Sequence, residues 1–135
     1  MTTEYQIKDI AKIVGGGTPR TTNEAFFGGV IPWITPKDLS SNRSKFTGSG
    51  ARNITKEGLG SCSAKMIPEG SILMSSRAPI GLLTIAENEL CTNQGIRSLI
   101  VNSSIADNEY IYYKMQTMIP LIEAYSSGTT FSEIR

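Results

Sequence analysis

"ILMSSRAPIGLLTIAENELCTNQGIRSLIV", residues 72–101, decides how this chain folds. Its apolar runs, Ile72–Met74, Ile80–Ile85 and Ile96–Val101, have strand length and fall short of helix length. Turn-forming residues separate them, with no helical pattern in between, so the pairing is expected to be mainly antiparallel or mixed. Two polar clusters sit at the ends of these strands, Ser75-Ser76-Arg77 and Thr92-Asn93-Gln94-Gly95. Polar groups at the tips of buried strands ask for a common edge that faces solvent or a partner.

Upstream, Ile67-Pro68-Glu69-Gly70 is a turn, with proline early and glycine late. Thr55 is a helix cap, and Gly58 or Gly60 ends the short helix that follows. Residues 40–53, "SSNRSKFTGSGARN", read as one long, polar, basic loop. In "VIPWITPKDL", residues 30–39, Pro32 points to an edge strand or an extended segment. Pro36-Lys37-Asp38-Leu39 suits a first helical turn. "GGGTPR", residues 15–20, is a breaker cluster and therefore loop. It lacks both the P-loop ending and the GxGxxG spacing, which argues against nucleotide binding. Residues 4–14 read as a helical turn running into a strand.

Downstream, Asp107 opens a helix with Glu109 in its first turn. Tyr110, Tyr113, Met118 and Leu121 recur at helical spacing, with Ile111, Met115 and Ile122 beside them, and read as an inward-packed stripe. Pro120 calls for a kink or a second short helix near residues 119–125. A turn is expected at residues 126–128.

Composition narrows the function. The chain has 135 residues, enough for one domain with its own core, and no histidine. The commonest general base and metal ligand is thus missing, and a Ser-His or Cys-His nucleophile pair is impossible within the chain. Cys62 and Cys91 are too few for a disulfide framework and read as two buried or half-buried thiols. No apolar run approaches the length that spans a bilayer, and the N-terminus lacks a signal-peptide pattern, so a cytoplasmic location without membrane attachment is expected. The net charge of +1 is unevenly spread. Lys37, Arg43, Lys45, Arg52 and Lys56 face only Asp38 between residues 37 and 56, whereas the segment from Asp107 onward is acidic. One face suited to an anion would look like this.

Several phrases, in order, carry a family resemblance: "GGTPRTTNEAFFGGVIPWITPKDL", "ITKEGL", "IPEGSILMSSRAPIG", "CTNQGI" and "SSGTTFSEI". Together they span about residues 5–134, and the chain resembles a target recognition domain of the DNA specificity subunit of type I restriction–modification systems. The resemblance implies an α/β fold of the α+β kind, a twisted, mixed or antiparallel sheet with short flanking helices. It implies reading of one half of a bipartite double-stranded DNA target. It places the chemistry in partners: a modification (methyltransferase) subunit using S-adenosylmethionine and, through it, a restriction subunit using ATP and magnesium. A full subunit of this family carries a second recognition domain and long spacer helices forming a coiled coil. Here residues 1–135 are expected to be one domain, an excised piece or a half-length product, ending where the spacer helix would begin.

The residues agree with a non-catalytic role. There is no Asn/Asp-Pro-Pro-Tyr/Phe motif for a flipped adenine, no cofactor glycine motif, and no credible metal site around Asp38, Lys37 and Glu57. No cofactor is expected. DNA binding asks for Arg and Lys on phosphates and for Arg, Asn, Gln, Ser and Thr on base edges. The candidates lie in three loops: Thr18 and Arg20 beside Pro19; Lys37, Asn42, Arg43, Lys45 and Arg52, with Ser41 and Ser44; and Ser75, Ser76, Arg77, Asn93, Gln94 and Arg97. The 40–53 loop is expected to read bases. Each candidate has a plainer role: Asn93-Gln94-Gly95 as a turn, Ser75 and Ser76 as strand-end caps, Arg77 as a solvated loop residue. The alternative function is a protein-interaction or decoy module that docks on a modification subunit without reading DNA productively. A small ligand-binding β domain fits less well, because the single Trp33 sits between prolines.

Overall fold

The computed structural model describes residues 7–77 and 80–126. In chain order the elements are α1 (Ile7–Ile10), β1 (Ala11–Val14), a single 3-10 turn (Glu24–Phe26), β2 (Phe27–Ile34), α2 (Pro36–Ser41), β3 (Phe46–Thr47), β4 (Arg52–Ile54), α3 (Lys56–Gly60), β5 (Ile72–Ser75), β6 (Leu83–Ala86), β7 (Cys91–Thr92), β8 (Ile96–Val101) and α4 (Asn108–Ser126). The strands form two sheets, one of five strands in the order β1-β8-β5-β6-β3 and one of three in the order β4-β2-β7. The pairing is antiparallel except for β3 on β6 and β7 on β2, so the fold is the mixed α+β arrangement expected.

Residues 72–101 are the framework, as their pattern requires. β5 is central in the larger sheet, and all four of its residues are buried. Ile72 and Met74 point to one face, with Leu99, Ile85, Ile111, Tyr112 and Met115. Leu73 points to the other, with Ile34, Leu39, Leu90 and Ile96. A strand covered on both faces needs an unbroken apolar run rather than alternation, which is why "ILM" reads as it does. A third cluster, around Trp33, Ile54, Ala64 and Cys91, fills the space beneath the smaller sheet. Cys91 is buried and Cys62 half-buried, both as free thiols. Burial pushes the Cys91 thiol up to about 12.

Local expectations hold at several element ends. Thr55 caps α3, its hydroxyl accepting from the Gly58 amide at 3.0 Å. The Asp107 carboxylate caps α4 by accepting from the Tyr110 amide at 3.0 Å. Three expectations are corrected. Pro32 lies in a central strand, not an edge strand. It is tolerated because β7 joins β2 only from Trp33 onward, leaving one neighbour at Pro32. Residues 40–53 are not one loop: they include the end of α2, the short β3 and the start of β4. Helix α4 runs through Pro120 as one element. Pro120 is exposed, where water can replace the lost backbone bond.

The tyrosine stripe divides. Tyr112 is buried with Ile111 and Met115, but Tyr110 and Tyr113 are 61% and 52% exposed. The inward positions at Leu121 and Ile122, most of the turn expected at residues 126–128, and the "SSGTTFSEI" motif beyond Ser126 lie outside the described side chains and residues. No described helix is long and apolar enough to cross a membrane.

Candidate nucleic-acid interface

The loops at one end of the larger sheet meet because of Gly16 and Gly17. Gly17 donates its amide to the Thr92 carbonyl at 3.0 Å, and its own carbonyl accepts from the Trp33 indole at 3.0 Å. The Gly16 carbonyl accepts from the Ser63 hydroxyl at 3.2 Å. A β-carbon on Gly16 would lie 2.3 Å from the carbonyl oxygens of Thr92 and Asn93, so backbone passes directly over backbone here. This crossing brings the Thr18 hydroxyl to the Gln94 side-chain oxygen, to which it donates a hydrogen bond.

The turn at Asn93–Gly95 joins the two sheets, since β7 belongs to the smaller and β8 to the larger. The Asn93 amide donates to Ile34 at the end of β2, at 2.9 Å. The Gly95 carbonyl accepts from the Ser76 amide just beyond β5, also at 2.9 Å. The Asn93 side-chain oxygen accepts from the Gly95 amide at 2.8 Å, so Asn93 builds the turn, while Gln94 is exposed at its tip. Arg77 follows Ser76 and is exposed. Arg20 is exposed two residues beyond Thr18, in a turn closed by the Asn23 amide on its carbonyl. Arg97 is half-buried, close beside Gly15.

A groove opens next to this rim, with Trp33 in its wall and Lys37, Asn42, Gly50 and Arg52 along it. Local chemistry explains its shape. Thr35 and Asp38 form a reciprocal capping box at the start of α2. The second Asp38 oxygen accepts from the Ala51 amide at 3.0 Å, fastening the segment before β4 against the helix. The Arg52 guanidinium stacks over the Phe27 ring at 3.7 Å. Phe27 meets Trp33 edge-on, centroids 5.8 Å apart. Asp38 thus has a structural task, and Thr35, Phe27 and Trp33 join the site's supports. The spacing Thr35-x-x-Asp38 is a capping-box signature and could have been read; the Phe27–Arg52 stack has no local signature.

Three candidates are not part of this rim and groove. Ser75 is fully buried, and its hydroxyl accepts from the Leu82 amide at 2.9 Å, holding the β5–β6 connection, so it cannot reach a base edge. Lys45 forms an ion pair with Glu109 of α4 and lies 4.7 Å from the Tyr113 ring centroid. Those bonds, that to Glu109 first, hold its ammonium above its ordinary pKa. Arg43 is exposed and borders a separate hollow with Gly81, Leu82 and Gln116, towards α4. The polar segment 41–46 therefore splits between two sides rather than forming one reading loop. Thr18, Ser76, Asn93 and Gln94 are brought together; Lys37, Asn42 and Arg52 share the groove.

Comparison with known proteins shows the family and the fold. The family model described as type I restriction modification DNA specificity domain matches residues 2–135. The chain is 45% identical over 132 residues to the type I restriction enzyme MjaIX specificity subunit of Methanocaldococcus jannaschii, covering 96% of this chain and 30% of that protein. It is 29% identical over 125 residues to the HindI specificity subunit of Haemophilus influenzae, covering 92% and 27%. The chain thus spans less than a third of the length of these relatives. Its fold matches the crystal structure of the HsdS subunit from Thermoanaerobacter tengcongensis with a TM-score of 0.63, at 22% identity over 86% of this chain and 27% of that one.

Proposed function

The chain belongs to the family of type I restriction modification DNA specificity domains, and from that premise we propose that it reads one half of a bipartite double-stranded DNA target. In this reading it performs no chemistry and needs no cofactor. It directs methylation by a modification subunit and, through that subunit, cleavage by a restriction subunit, in the cytoplasm. A second recognition domain reads the other half-site.

One observation carries the reading: Thr18, Ser76 and Gln94 share a rim next to a groove walled by Lys37, Asn42 and Arg52. Amides and hydroxyls suit base edges, and uncommitted cations suit phosphate or guanine. The rim hangs on backbone hydrogen bonds from both sheets, so its groups are pre-positioned, which lowers the ordering cost of binding.

The test is duplex binding by fluorescence anisotropy with the assembled modification complex, over a range of salt concentrations, together with mapping of methylated sites. Affinity should fall linearly on a log–log plot as salt rises, because phosphate contacts release counterions. Arg77→Ala should lower binding and methylation while thermal unfolding stays unchanged. Salt-independent binding, or full methylation by the Arg77→Ala complex, contradicts the respective assignment.

A second reading, docking on a modification subunit without productive DNA reading, draws on the exposed Tyr110 and Tyr113 of α4. Tyrosine is enriched at protein interfaces. Co-purification of the two chains that persists unchanged whether or not DNA is present, with no site-specific methylation, would favour it.

A further inference from the structure

We propose that Arg52 reads a guanine in the half-site and that Phe27 is the residue that aims it, an inference that rests on the DNA-recognition reading above. Four observations lead there. First, the Arg52 guanidinium lies 3.7 Å from the Phe27 ring centroid, a distance at which the planar cation stacks on the ring face. Second, Phe27 is itself held, edge-on against Trp33, whose indole donates to the Gly17 carbonyl. The guanidinium is thus at the end of a chain of fixed groups that starts at the glycine crossing. Third, the backbone beside Arg52 is fastened by the Asp38 carboxylate on the Ala51 amide. Fourth, the ion pair Lys45–Glu109 does not involve Arg52, and no acidic side chain among the described residues pairs with it. Glu24 lines the hollow on the far side of Arg52 without reaching ion-pair distance.

Stacking leaves the guanidinium edge free. That edge is a rigid fork of N–H donors, and the matching partner in a major groove is the N7 and O6 pair of guanine. A phosphate can also take the fork, but phosphates are alike along the duplex whereas base edges differ from pair to pair, so a stacked and braced Arg is suited to selecting one base. Arg52 also stands between two hollows, that of Lys37 and Asn42 and that of Thr21 and Phe27, with its side chain exposed to both. Phe27 touches no DNA in this scheme and acts through Arg52.

The experiment compares the assembled modification complex carrying wild-type chain, Arg52→Ala, Arg52→Lys, Phe27→Leu or Phe27→Tyr. Methylation mapping gives base preference at each half-site position, and duplex binding over a salt series gives affinity and slope. Arg52→Ala removes the fork, so preference for guanine at one position should drop roughly tenfold to a hundredfold while other positions hold, and Arg52→Lys, whose ammonium still reaches N7 or O6, should lose less. Phe27→Leu should relax the same position by less, with the salt slope unchanged, and Phe27→Tyr, which keeps the ring, should restore it. Arg52→Ala, at an exposed site, decides the base-reading part if Phe27→Leu fails to fold, and Phe27→Tyr then tests the ring. Three results overturn the inference: unchanged base preference in Arg52→Ala, a uniform weakening for all sequences with a salt slope smaller by about one in that complex, as for a phosphate contact, or relaxed guanine preference in Phe27→Tyr. If the wild-type complex itself shows no site preference, the DNA-recognition reading fails instead.

Discussion

The two sheets of this domain are held together by different forces. The five-stranded sheet is sandwiched between apolar layers, with Ile72, Leu73, Ile85 and Leu99 at 2% exposure or less. The region around the three-stranded sheet has a smaller apolar cluster, and directed hydrogen bonds fix the groups that matter there: Trp33 to Gly17, Asp38 to Ala51, Asn93 to Ile34. Apolar burial is strong and non-directional. Hydrogen bonds are individually modest and orientation-sensitive. The first region therefore supplies stability, and the second supplies the placement of side chains. Substitutions should divide the same way, with stability lost in one place and base choice in the other.

The largest effect is expected at Leu73. Leu73→Ala empties a fully buried site and should cost about 2–5 kcal/mol, read from denaturant unfolding. Its folded fraction should methylate the same sites as wild type, and a changed site pattern would erase the contrast. Gly16→Ala is next. Its β-carbon cannot coexist with the Thr92 and Asn93 carbonyls, and overpacking of this kind costs about 1–3 kcal/mol. Here recognition should suffer more than stability, since the Thr18–Gln94 bond depends on the crossing. Equal loss of both would make the glycines structural only. Asp38→Ala removes the capping box and the tie to Ala51, for roughly 1 kcal/mol by chemical denaturation. It should also weaken duplex binding through the loosened neighbour of Arg52. Glu109→Gln should have the smallest effect, because exposed ion pairs contribute little. Thermal midpoints with and without added salt should match wild type, and a clear drop would promote the Lys45–Glu109 contact to a structural tie.

The framework was readable from residue pattern because burial leaves a local trace. Apolar-rich runs at 72–74, 80–85 and 96–101, a capping threonine at 55 and a capping aspartate at 107 each act over a few residues. The division into two sheets was not readable, because β7 is two residues long and its parallel partner lies far upstream. The candidate interface was half readable. Residue type marked Thr18, Gln94, Arg77 and Arg52, yet it equally marked Ser75, which the fold buries, and Lys45, which Glu109 occupies. Polar character shows what a side chain can do and not which way it faces. Phe27 went unread for the opposite reason, since an aromatic next to two glycines reads as core until Arg52 is seen lying on it.

The turn at Asn93–Gly95 has a mechanical consequence. Its amide hangs from Ile34 on one layer and its carbonyl holds Ser76 on the other, so a ligand that grips Gln94 clamps both layers in a single stroke. Opening fluctuations at these two distant strand ends would then be damped together. Deuterium uptake at the Asn93 and Ser76 amides should slow in step when the tip is engaged.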